Sequence, residues 1–173
     1  MHGYFCTVVC YSFLYSVVWC VVLQATFLLI MFLPTLQMLV SPHIGFTNGA
    51  CHSTQNLSSA AWANYDSNND LIDLQGICLG CTTKHIVEYN VVIELLSQTI
   101  ALGIRELVVN LDSQLVVLQL NGKYSIRNPQ ILRMYLFIHL LERHFDYITY
   151  HHIPRHMNTL TDALANYVLD RHL

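Results

Sequence analysis

Three acidic residues stand where their neighbours are apolar. Glu88 falls on the stripe shared by Val91, Val92 and Leu95, which recur at helical spacing. Asp112 closes the apolar run Leu107, Val108, Val109 and Leu111. Asp162 falls in the first turn of the last helix that the sequence predicts. A charge on a core-facing stripe is costly unless it meets a partner. Strand ends and helix starts in an α/β sheet gather along one edge, where ligands commonly bind. Carboxylates gathered there repel one another until a cation sits among them. A hard divalent ion with oxygen ligands relieves that repulsion, and two such ions suit phosphodiester hydrolysis.

Each carboxylate also has a plain structural reading. Lys84, one turn before Glu88, makes an ion pair available to it. Asp112 with Ser113 suits the cap of a following helix. Thr159, three residues before Asp162, suits a capping box. Spacing alone leaves both sets of readings open.

The elements that would position these groups are legible from periodicity and turn residues. A short strand carries Ile44 and Phe46 and ends at Asn48-Gly49. A second runs Ala60 to Tyr65, and a third Leu71 to Leu79 after the turn-rich Asp66 to Asp70. Three strands with short connections suggest an antiparallel meander. A helix follows from Lys84 to Leu102, stopped by Gly103. Leu107 to Asp112 reads as a strand covered on both faces. Helices are predicted over Gln114 to Leu120 and, with Pro129 in its first turn, over Pro129 to Phe145. A fifth strand spans Tyr147 to Ile153, and a last helix starts at Thr159. The order indicates an α/β chain of the α+β mixed-sheet kind, five strands flanked by helices.

Composition divides the chain in two. Residues 1–40 contain no Asp, Glu, Lys or Arg, and Tyr4 to Leu33 is almost continuously apolar. Roughly 20 such residues span a bilayer, so this extension reads either as a transmembrane or membrane-associated helix through residues 4–33, or as an apolar leader without a role of its own. It lacks the basic start and small-residue cleavage site of a secretory signal. Residues 42–173 read as one globular domain. The formal net charge of −3 excludes a globally basic nucleic-acid-binding chain. Cys78-Leu-Gly-Cys81 is a lone pair with no second pair to complete a zinc ribbon.

Four segments occur together in order. They are Asn48-Gly-Ala50, Val87-Glu-Tyr89, Leu111-Asp-Ser-Gln-Leu-Val-Val117, and His152-Ile-Pro-Arg-His-Met-Asn-Thr-Leu-Thr-Asp-Ala-Leu-Ala165. This set resembles a type 1 ribonuclease H domain of the retroelement and plant-type branch, whose patterns are DGA, AEY, DSQLV and HIPRxxNxxADALA. The likeness covers about Pro42 to Leu173 and implies a ribonuclease H-like fold. It also implies that Glu88, Asp112 and Asp162 hold two Mg²⁺ ions, or Mn²⁺, to cut the RNA strand of an RNA·DNA hybrid. His152 falls where the family often has a histidine that assists proton transfer or product release. Lys84, His85, Ser113 and Asn158 fall at positions implied to meet the nucleic acid.

The departures gather at the same site. The first family carboxylate is Asn48 here, a degenerate metal position, because an amide brings no charge and bridges two ions poorly. The stretch TNNxAEY becomes Thr83-Lys-His-Ile-Val-Glu-Tyr89, so that Lys84 and His85 replace two asparagines. The expectation is therefore an RNA·DNA hybrid endonuclease of retroelement origin, impaired at Asn48, acting as a monomer inside the cell, in cytoplasm or nucleus. The alternatives are an inactive domain that binds a hybrid or other nucleic acid, and a membrane-anchored passenger.

Overall fold

The computed structural model describes residues 41–52 and 56–172, and Gln24. The apolar extension and its candidate membrane span lie outside the described residues. Among the described residues, no helix is long and apolar enough to cross a membrane.

Five strands form one sheet: β1 (His43–His52), β2 (Leu57–Tyr65), β3 (Leu71–Gly80), β4 (Glu106–Leu111) and β5 (Tyr147–His152). Four helices accompany them: α1 (Lys84–Ala101), α2 (Gln114–Leu120), α3 (Pro129–Glu142) and α4 (Thr159–Asp170). The strand order is β3-β2-β1-β4-β5. The first three strands pair antiparallel, as short connections allow, while β4 and β5 join parallel to β1 through helical crossovers. The mixed five-stranded sheet is the architecture the element order implied.

The covered strand is β2 rather than β4. In β4 alternate residues Leu107, Val109 and Leu111 are buried, and those between them are only half-buried. Every residue from Ser58 to Asn64 is buried, because α1 packs on one face of β2 and α4 on the other. Small residues, namely Ser58, Ser59, Ala60, Ala61 and Ala63, let both helices come close. The Ser59 hydroxyl donates to the Ala165 carbonyl of α4 at 2.6 Å. An apolar run signalled burial in β4, whereas in β2 the signal was small size.

The first strand is longer than expected, reaching His52. Gly45 lies inside it because a Cβ there would stand 2.7 Å from Leu95 Cδ2 of α1. At Gly49 the corresponding distance is 2.6 Å to Val87 Cγ1. These two glycines bring α1, and with it Glu88, tightly onto β1. Helix α3 ends at Glu142, short of Phe145, because the amides of His144 and Phe145 bond three residues back in a tight turn. That turn still buries Phe145 in the core.

Candidate active site

Asn48 sits mid-strand in β1 and is 4% exposed. Glu88 sits in the second turn of α1, whose start is capped by the Thr83 hydroxyl accepting from the Ile86 amide. Asp112 and Ser113 follow the last residue of β4. These residues line one small crevice together with Thr47, Gly49, Val91 and Leu111. The parallel register of β1 and β4, with Thr47 opposite Leu111, sets Asn48 beside the turn that carries Asp112.

The crevice is held by hydrogen bonds. The Ser113 hydroxyl donates to Glu88 Oε2 at 2.9 Å, and Lys84 Nζ lies 3.8 Å from Glu88 Oε1. Ser113 occupies the N-cap position of α2, but its side chain makes no capping bond and serves Glu88 instead. The side chain of Glu88 is 13% exposed. Burial pushes its carboxyl above the usual glutamate range, and Ser113 and Lys84 draw it only part of the way back.

Asp162 is tied differently. Asn48 Nδ2 donates to its Oδ1 at 2.8 Å. Arg155 donates to the same oxygen from Nη2 at 2.6 Å and from Nε at 3.1 Å. Burial acts to raise the Asp162 carboxyl, but these bonds outweigh it and hold the group below the usual aspartate range. The N-cap of α4 is Asn158, not Thr159, so the capping box is not formed.

The other expected residues are distributed as follows. Lys84 is exposed beside Glu88. His85 is turned to α2, with Nε2 at 3.0 Å from Gln119 Oε1, which also accepts from the Tyr89 hydroxyl at 3.0 Å. Asn158 is 2% exposed and fastens α4 to β1: its Nδ2 donates to the Thr47 carbonyl at 2.8 Å, and its Oδ1 accepts from the Thr161 hydroxyl. His152 is exposed at the end of β5, in register with Leu111 and so one residue from Asp112. It does not line the crevice. Arg155 had no assigned role, although its place within the fourth segment, seven residues before Asp162, was a usable signal.

Among the described residues, no three His, Cys, Asp or Glu side chains come together closely enough to hold a metal ion. Glu88 and Asp112 share the crevice, but Asp162 is committed to Arg155 and Asn48. The donor set therefore does not fit a two-ion centre.

A family model described as reverse transcriptase-like matches residues 46–168. The chain belongs to the reverse transcriptase-like family. Its fold is that of ribonuclease H. The ribonuclease H1 of Halobacterium salinarum superimposes with a TM-score of 0.73 at 27% identity, over 76% of this chain and 99% of that one. In sequence, Ribonuclease HI of the same organism is 28% identical over 72% of this chain and 63% of its own length. A bifunctional protein of Mycobacterium tuberculosis is 36% identical over 53% of this chain, which spans only 25% of that protein. The N-terminal ribonuclease H domain of a protein from the same bacterium superimposes with a TM-score of 0.71 at 26% identity, over 75% of this chain and 94% of that one.

Proposed function

We propose that this domain engages RNA·DNA hybrids along the sheet edge formed by Asn48, Glu88, Asp112 and Ser113, and that hydrolysis there is weak or lost. The carrying observation is the crevice: it brings together two family carboxylates, while an amide occupies the place of a third. Support for the substrate comes from similarity to ribonucleases H, one of which was solved in complex with an RNA/DNA hybrid and shares the fold at a TM-score of 0.71 and 23% identity. Recognition of the RNA strand would use its 2′-hydroxyls, which only that strand carries. A single divalent cation would be held by Glu88 and Asp112 and would supply the activation of water. The chain's own contribution is narrower: Ser113 and Lys84 orient Glu88, and Asp112 meets it across the crevice. His152 flanks the opening as a candidate for proton transfer.

The loss at Asn48 is large on electrostatic grounds. One unit charge about 4 Å from a cation at an effective dielectric of about 20 is worth roughly 4 kcal/mol. That corresponds to about a thousandfold in rate. Cleavage of a labelled hybrid in Mg²⁺ or Mn²⁺ tests this directly. Asn48→Asp is expected to cut faster than the parent by two to three orders of magnitude, roughly the scale just given. Asp112→Asn is expected to remove what activity the parent has. Equal rates for the parent and Asn48→Asp would show that the amide is not what limits the reaction.

The same proposal takes the domain as an intracellular monomer that begins at residue 42, with residues 1–40 as a separate apolar extension. The extension's composition suits a membrane association and an apolar leader without a role equally. Carbonate-resistant fractionation of the full chain tests that association: release into the soluble fraction would rule out a spanning helix.

A further inference from the structure

We infer that Asn48 and Arg155 act as a clasp that withholds Asp162 from metal, so that the chain holds one divalent cation where its family pattern implies two. The inference rests on the ribonuclease H-like reading of the site. Three donor atoms converge on Asp162 Oδ1: Asn48 Nδ2 at 2.8 Å, and Arg155 Nη2 and Nε at 2.6 and 3.1 Å. Asp162 Oδ2 has only the Asn166 amide, at 3.4 Å. The oxygen with the strong contacts is thus fully taken up, and the guanidinium supplies the positive charge that a cation would otherwise bring.

The consequence of an amide at position 48 is a change of sign. An aspartate there would set two carboxylates against each other, and that repulsion draws in cations. Asn48 replaces the repulsion with a hydrogen bond. Its amide cannot be turned round profitably, because Oδ1 would then face Asp162 acceptor to acceptor. With Nδ2 on Asp162, the Asn48 side chain is committed in a strand that leaves it 4% exposed. Glu88 is held more loosely, by the Ser113 hydroxyl at 2.9 Å and by Lys84, which is 66% exposed at the side chain and 3.8 Å away, and it shares the crevice with Asp112. Those two carboxylates are the residual cation site.

The test counts ions rather than turnover. Mn²⁺ binding to the full chain is followed by the electron paramagnetic resonance signal of the free ion, alongside hybrid binding by fluorescence anisotropy. The parent is expected to bind one ion, and Asp162→Asn to leave that affinity unchanged. Asn48→Asp is expected to gain a second ion, and adding Arg155→Ala to tighten it several-fold. In that double variant, Asp162→Asn is expected to remove the second ion again. Because the side chain of Arg155 is 67% exposed, its removal costs the fold little stability. A parent that holds two ions or none overturns the inference, as does a parent whose affinity falls with Asp162→Asn. Failure of every variant to bind hybrid would instead sink the proposed function while leaving the ion count readable.

Discussion

Glu88 carries its charge against the preference of its surroundings. Its carboxyl is raised above the usual glutamate range, first by burial, so the folded state disfavours the ionised form. The sign of the stability effect follows. Below the unfolded-state pKa the group is protonated in both states and costs nothing. As pH rises through the folded pKa, the folded protein must either hold a buried charge or keep a proton that the unfolded chain would release. Glu88→Gln is therefore expected to raise the melting temperature at neutral pH, with the gain vanishing on acidification below the ordinary glutamate range. Melting curves at pH 7 and pH 3 check this, and a gain that persists at pH 3 would mean that packing, not charge, is responsible. Asp162 behaves in the opposite sense. Its Arg155 and Asn48 bonds stabilise the fold above the unfolded aspartate pKa, and the contribution is lost as pH falls through the lowered folded value.

At the scale of elements, the site depends on how closely α1 lies on β1. The contact is made through two glycines, and one of them, Gly49, follows Asn48 directly. A Cβ at Gly49 would come within 2.6 Å of Val87 Cγ1, next to Glu88 in sequence. Gly49→Ala is expected to destabilise the domain by about 1–3 kcal/mol, the usual range for an overpacked core. It should also shift α1 and so weaken hybrid binding. Val87→Ala supplies the missing room, and it is the residue of the AEY pattern that this chain resembles. The double variant is expected to recover most of the lost stability, a coupling that a denaturation cycle measures. Additive losses would place the strain elsewhere. A second fastening holds the opposite face: Ser59 and Asn158 anchor α4 to β2 and β1, and α4 carries Asp162 to the edge. Asn158 thus serves the site through the fold.

For the whole molecule, charge sets how nucleic acid can be held. The chain has eight Lys and Arg against eleven Asp and Glu. Arg155, beside the site, is already engaged by Asp162. Few cations are left to contact phosphates, so counterion release must be small. Proteins with six to ten phosphate contacts lose roughly 10³–10⁵ in affinity between 50 and 200 mM salt. This chain is expected to lose no more than about a hundredfold over that range. Anisotropy titrations at the two salt concentrations measure the slope. A steeper loss would overturn that expectation.

The sequence alone determined the order of elements and the family. Periodicity, turn residues and helix stops depend on near neighbours, so α1, α2 and β5 fall within a residue or so of where they were read. The four motif segments named Glu88, Asp112 and Asp162 as candidates. What the sequence could not determine was which groups meet. Asn48 and Asp162 are 114 residues apart, and only the pairing of β1 with its neighbours and the docking of α4 bring them to 2.8 Å. The same docking turned Arg155 from a motif letter into the partner of Asp162. The close seat of α1 on β1 explained glycines whose reason lay in another element. Local pattern records what each residue prefers, but a charge acquires its partner through contacts that the chain makes across the sheet. At this site those contacts join an amide, a guanidinium and a carboxylate.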